Sequence, residues 1–193
     1  TQDAALSPME QALAAAAGIA DPAEGYFTSL QDSVDGSNPG ANVEAQGTPG
    51  NDTFELADGG DTSILINGGD GDDALILDLD GPSPIPSGGL TFHGEANDVG
   101  GDSILAEGAG PLTNLDFDFT DTDSGTLAID GQIVNFTGVE PVTVKPQAAD
   151  VTVGLPAGMS HPDLVIEDSG GTDEVRVAGS TIPTALFHDP GNS

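Results

Sequence analysis

Three stretches of the chain repeat one layout, an apolar strand, a loop of glycine and aspartate, then a second strand, and this layout restricts the possible folds more than any other feature. They are Ser63-Ile64-Leu65-Ile66, Asn67 to Asp73 and Ala74-Leu75-Ile76-Leu77; Leu90-Thr91-Phe92, His93 to Asp102 and Ser103-Ile104-Leu105; and Leu164-Val165-Ile166, Glu167 to Asp173 and Glu174-Val175-Arg176-Val177. Strands this short bury a face only by stacking on copies of themselves. Between the second and third copies lie Leu115 to Thr120, Thr126 to Ile129 and Gln132 to Phe136. The last two are joined by Asp130-Gly131, a hairpin signal because both residues tolerate positive φ. Val142 to Val144 and Val151 to Val153 add two short strands. The expected class is all-β, as a β-solenoid-like or stacked β domain, with an antiparallel β-sandwich as the alternative because a hairpin and meander require no parallel coils.

Helical signals are confined to the start. Ser7 suits an N-cap, Pro8 the first helical position and Glu10 a capping box, and Gly18 ends the run. The expectation is a short N-terminal helix capping the β structure within residues 1–31, a linker over residues 32–50 rich in Asp, Gly, Asn and Pro, and an acidic β-repeat domain over residues 51–193.

Thirty-three Asp and Glu face only Lys145 and Arg176, a formal charge of -31. Such a field repels polyanions and anionic membrane surfaces, which excludes nucleic acid as a partner. Leu, Ile, Val and Phe number 45 of 193 residues, above the one-fifth level below which highly charged chains stay unfolded. Folding is therefore allowed where divalent cations or salt relieve the carboxylate repulsion. There is no cysteine, hence no disulfide framework or thiolate site. No apolar run approaches the ~20 residues needed to cross a bilayer, so membrane insertion is not expected. Without a basic n-region at the N-terminus, any export signal is expected to have been removed or to lie outside this chain.

Gly68-Gly69-Asp70-Gly71-Asp72-Asp73-Ala74-Leu75-Ile76 matches every fixed position of the nonapeptide Gly-Gly-x-Gly-x-Asp-x-apolar-x. Gly47 to Glu55, with Gly50 and Asp52, misses only the second glycine; Gly100, Asp102 and Ile104, and Gly171, Asp173 and Val175, keep less. The chemistry suits calcium, which takes six to eight hard oxygens: glycines let loop carbonyls converge and the aspartate supplies charge. These loops resemble haemolysin-type (RTX) calcium-binding repeats. The resemblance implies bound calcium (Ca2+) shared between loops of adjacent turns of a parallel β-roll, with Gly68, Gly69, Asp70, Gly71 and Asp73 as the principal site and Gly50, Asp52, Asp102 and Asp173 as further contributors. In this chain the four matching aspartates are separated by 21, 29 and 71 residues, so only loops that stack in space can share an ion. Gly125 to Val142 is similar to segments recurring in very large repetitive bacterial surface proteins, which implies a secreted, cell-surface or matrix location. Gly, Asp and Asn are also ordinary turn residues, and a Gly/Asp turn that binds nothing is the plain alternative.

Catalytic signals are sparse. His93, His161 and His188 are isolated, and no Gly-x-Ser-x-Gly elbow is present. The expected role is a non-enzymatic structural, fibre-forming or adhesin component. The alternatives are a carbohydrate-binding or polysaccharide-degrading β-helix module, with glycans as partners, and a salt-adapted surface-layer protein. Ala185 to Asn192 mimics the entry of the second repeat, Leu90 to Asn97, with no return strand after it. Leu186, Phe187 and His188 are therefore expected to form an open edge for head-to-tail self-association.

Overall fold

The computed structural model describes residues 26–28, 43–60, 63–96, 100–158, 160–161, 163–168 and 174–189. The described residues are all-β: fourteen strands and no helix. Among them, no helix is long and apolar enough to cross a membrane. The expected N-terminal helix at Ser7 to Gly18 lies outside the described residues, as does Asp173.

The strands are β1 (Tyr26–Thr28), β2 (Val43–Gln46), β3 (Thr53–Leu56), β4 (Ile64–Asp70), β5 (Ala74–Asp78), β6 (Leu90–Ala96) and β7 (Asp102–Glu107), then β8 (Leu112–Phe119), β9 (Gly125–Ile129), β10 (Gln132–Thr137), β11 (Val139–Gly154), β12 (Val165–Asp168), β13 (Glu174–Gly179) and β14 (Ile182–His188). From β2 to β7 successive strands alternate between two parallel rows. β2, β4, β6 and β10 form one row, and β1, β3, β5, β7, the start of β11 and β14 form the other. The end of β11 instead runs parallel to β8, and β8, β9 and β10 continue antiparallel, so all the strands belong to one hydrogen-bonded sheet bent back on itself at β11.

Period-two alternation drives this arrangement, because it gives each short strand one apolar face. In the first row Ile64 pairs with Leu90 and Leu90 with Val134, while Ala45, Ile66, Phe92 and Phe136 line up one step along. In the second, Phe54, Leu75, Ile104, Val142 and Ala185 stack, followed by Leu56, Leu77, Ala106, Val144 and Phe187. All these side chains are buried. The Phe54 and Phe92 rings meet edge to face at 6.3 Å, so the two rows enclose a common core. Asp116 and Asp118 of β8 alternate with buried Leu115, Phe117 and Phe119 and are exposed, the solvated strand face their spacing predicts.

Four expectations are corrected. Val43–Gln46, inside the expected linker over 32–50, is strand β2, and Tyr26–Thr28, inside the expected helical cap over 1–31, is strand β1. Four residues carry little local signal; β2 is held by its register with β4 and by burial of Ala45. The two strands expected at Val142 to Val144 and Val151 to Val153 are parts of the single sixteen-residue β11. The third repeat copy does not follow the first two, since β12 and β13 pair antiparallel with each other instead of dividing between the rows. Finally, Leu186, Phe187 and His188 are not an open edge. β14 pairs with β11 on one side and with β13 on the other, because its return strand comes before it in the chain, through the turn at Ser180 and Thr181. The Asp130-Gly131 hairpin is present, with φ of 49° and 84° and Ile129 opposite Gln132.

Candidate functional site

Parallel register places Thr53 of β3, Ala74 of β5 and Ser103 of β7 side by side, Thr53 beside Ala74 and Ala74 beside Ser103. The residues just before them, Asp52, Asp73 and Asp102, are consequently stacked, and all three are buried, at 1%, 1% and 0% exposure. Aspartates are almost never fully buried unless partnered. Part of the partnering is a ladder: Asp52 N–H donates to Asp73 Oδ1 at 2.8 Å, and Asp73 N–H to Asp102 Oδ1 at 2.6 Å. Backbone bonds run alongside, from Ala74 N–H to Asp52 O at 2.9 Å and from Ser103 N–H to Asp73 O at 2.8 Å.

The second carboxylate oxygens differ. Asp52 Oδ2 accepts the Thr48 N–H at 2.5 Å and the Thr48 hydroxyl at 3.1 Å. Asp73 Oδ2 and Asp102 Oδ2 are buried without any hydrogen-bond partner. Leaving such an atom unsatisfied costs about 1–3 kcal/mol, more when it is charged. Each of these oxygens lies against a glycine of the facing row. A methyl group on Gly68 would overlap Asp73 Oδ2 and sit 3.1 Å from Gly94 O; one on Gly94 would overlap Asp102 Oδ2 and sit 2.5 Å from Gly138 O. Gly47 repeats the arrangement at the first tier, with Asp52 Oδ2 at 2.8 Å and Gly68 O overlapped. At every tier a carboxylate oxygen and a carbonyl oxygen of the next tier thus converge on the space that a missing side chain leaves.

The ladder ends where the sequence loses its acid. Val139, buried, stands in register beside Asp102, so the fourth tier adds a carbonyl from Gly138 and no carboxylate. Gly69 (φ +108°) and Gly71 (φ +134°) have left-handed backbones packed on the loop of the tier below, with added methyl groups 2.7 Å from Thr48 O and 2.6 Å from the Gly50 carbonyl carbon. Gly50 itself has open space beside it, and Asp70 is exposed at the end of β4.

The surroundings are uniformly acidic. Burial pushes the Asp73 carboxyl up to about 6 against the lowering effect of the Asp52 N–H, and the charges of Asp52, Asp72 and Glu95 push the same way. Burial likewise pushes Asp102 up to about 6, opposed by the Asp73 N–H and reinforced by the charges of Asp73 and Asp72. Asp52 is raised by burial and held back by its bonds to Thr48. The two basic side chains pair elsewhere, Lys145 with Glu107 and Arg176 with Glu167, each at 2.7 Å. No three carboxylate or imidazole side chains converge as a ready metal cage among the described residues. The oxygen set offered is instead mixed, buried carboxylate plus loop carbonyl, the hard-donor chemistry that calcium accepts.

An acid whose folded-state pKa lies above its unfolded value of 3.8 stabilises the fold below that value and loses this contribution as pH rises through the folded pKa. Protein kept in chelator should therefore melt at a lower temperature at pH 7 than at pH 4.5, with the fall concentrated between about pH 4 and 6. Asp102→Asn keeps the acceptor for Asp73 N–H, removes the charge and should flatten the profile. A melting temperature that rises over this range would contradict the assignment.

Sequence reasoning singled out Gly47, Gly68, Asp52, Asp73 and Asp102, and the fold brings them together. It missed an outer ladder, in which Asn51 Oδ1 accepts Asp72 N–H at 3.0 Å and the Asp72 carboxylate accepts Gly100 N–H at 3.0 Å and Gly101 N–H at 2.9 Å. The polar residue directly before Asp52 and before Asp73 was its visible signal. It also missed Thr48. The histidines sit apart from the ladder's bonds: His93 Nδ1 lies 2.7 Å from Thr137 Oγ1, and His161 Nδ1 2.6 Å from Thr181 Oγ1. Comparison of the chain with protein-family models, curated proteins and solved structures finds no match.

Proposed function

We propose that this chain is an extracellular structural protein of a cell surface or matrix, built as a β-solenoid-like stack and stabilised by calcium bound along the Asp/Gly ladder. The observation that carries the reading is the pair of buried oxygens without partners, Asp73 Oδ2 and Asp102 Oδ2, each beside a glycine face that a carbonyl of the next tier also approaches. Alternation of β2 to β7 between two parallel rows supports the stacked architecture, and the nonapeptide at Gly68 to Ile76 supports the likeness to haemolysin-type repeats. Asp73, Asp102 and the carbonyls of Gly94 and Gly138 would hold the ion; when bound, it supplies positive charge to a ladder that has no basic residue of its own. Asp52, satisfied by Thr48, serves as the end of the ladder. The role is mechanical, and no catalytic step is assigned.

Thermal melting in ~10 mM calcium against chelator tests the reading. For an extracellular-type site with a dissociation constant of ~0.1–1 mM, calcium should add roughly 1.4–2.7 kcal/mol per site. Asp73→Ala should abolish much of that increment, and matched ionic strength from a monovalent salt should not reproduce it. Equal stabilisation by sodium would favour the salt-adapted surface protein instead.

A further inference from the structure

The loop between β5 and β6 is rich in proline and glycine, and it forms a wall. Pro84, Ile85 and Pro86 are buried. Backbone bonds fasten it on both sides: Gly59 N–H donates to Ser83 O at 2.9 Å, Ser87 N–H to Gly60 O at 3.1 Å and Gly89 N–H to Pro86 O at 2.9 Å. Proline fixes φ as well, so the segment keeps its shape without a ligand and little order is lost on binding one. Opposite stands the β9–β10 hairpin, tied to the loop where Gln132 Oε1 accepts the Ser83 hydroxyl. Between residues 86–89 and Gly131, Gln132, Ile133 and Asn135 lies an open cleft of about 510 Å³. None of these lining residues is charged, in a chain whose formal charge is -31.

The cleft opens onto the outward side of the first row. Alternation along β10 turns Val134 and Phe136 inward and Ile133, Asn135 and Thr137 outward, and Ile133 is 48% exposed. Register carries this surface across the neighbouring strands: Asn135 lies beside Thr91 and Thr91 beside Leu65, Thr137 beside His93 and His93 beside Asn67. Neither line contains a carboxylate. A cation therefore finds no counter-charge here, and a polyanion is repelled by the molecule as a whole. The groups on offer are hydroxyls and amides, which both donate and accept hydrogen bonds, beside the apolar Ile133 and the Pro86 ring. That combination suits a sugar, which carries hydroxyls around its rim and C–H groups on its faces. Neighbouring strands are ~4.8 Å apart, close to the length of one sugar unit in an extended β-linked chain.

We infer that the cleft and the strand face beside it bind an uncharged, extended β-linked glycan, seated on Ile133, held by the amides of Gln132 and Asn135 and running across β10, β6 and β4. The site gives a surface or matrix protein a partner, and it shares no residue with the aspartate ladder.

Calorimetric titration of the full chain in calcium with cellohexaose and mannohexaose tests it, with a hexamer of polygalacturonate as the charged comparison. One or both neutral oligosaccharides should bind and the acidic one should not. Ile133→Asp and Asn135→Asp, both at exposed positions, should each weaken binding by about tenfold or more. Thr152→Asp is the matched control: it adds the same charge at an exposed position on β11, which is separated from β10 by β8 and β9. It should bind as the parent does, and the three variants should melt alike. Binding of neither neutral hexaose, equal binding of the acidic hexamer, or an equal loss in Thr152→Asp overturns the inference. The ladder is read from melting in calcium and chelator, so each of these results leaves that reading standing.

Discussion

Phe117→Ala should cost about 3–5 kcal/mol and lower the melting temperature by roughly 10 °C. Phe117 lies on β8 and is 1% exposed, with its ring 6.0 Å from Phe119 and 5.7 Å from Phe187. Phe119 in turn meets Phe136 edge to face at 6.4 Å. The chain of rings ties β8 and β10 to β14, so the cavity opens between segments that share no local turn and cannot collapse by a small backbone shift. Total stability of a domain is about 5–15 kcal/mol, which makes this a large fraction. Denaturant unfolding measures it. A loss below about 1 kcal/mol would mean that the aromatic cluster does not join these strands.

Gly94→Ala should be as damaging for a different reason. Its methyl group would overlap Asp102 Oδ2 and stand 2.5 Å from the carbonyl oxygen of Gly138, which is backbone at the junction of β10 and β11 and cannot swing aside as a side chain would. Either the tiers separate or the Asp102 carboxylate leaves the ladder, breaking its bond with Asp73 N–H. Overpacking of this kind costs typically 1–3 kcal/mol and more where backbone must move, and a broken buried hydrogen bond adds to it. Gly50→Ala is the matched control, since an added methyl group there meets nothing within 4 Å. That variant should stay within about 0.5 kcal/mol of the parent. Equal tolerance at both positions would show that the tiers are spaced more widely than the ladder requires.

The two glycines belong to similar loops in the sequence and differ only in what the fold sets beside them. Local pattern was enough to read strands from Ile64, Ile66, Leu75 and Leu77, a hairpin from Asp130-Gly131, and an acidic loop ending in Asp73. Each depends on a property of a few adjacent residues, their alternation or their tolerance of positive φ. Val43–Gln46 was too short for such a signal and became a strand only through its partner β4.

The aspartate ladder lies between these extremes. Its residues were legible because calcium-type loops reuse glycine and aspartate at set spacings, but the separations of 21 and 29 residues say nothing by themselves about which side chains touch. Asp72 acquires its role from Asn51, Gly100 and Gly101 of the neighbouring tiers, partners its own loop does not name, whereas Thr48 bonds Asp52 four residues along in the same loop. The two oxygens left without partners became visible only once the strands were in register.

The composition and alternation of this sequence determined an acidic, all-β chain with glycine-faced loops, because those are consequences of side-chain polarity and of backbone freedom residue by residue. The tertiary structure alone decided that β14 closes against β13 instead of presenting an edge, that Val139 ends the ladder, and that Asp73 and Asp102 face glycines across a tier. Hydrogen-bond partners of a strand come from distant chain whose register is selected by burial of whole faces, a collective choice that no single segment encodes.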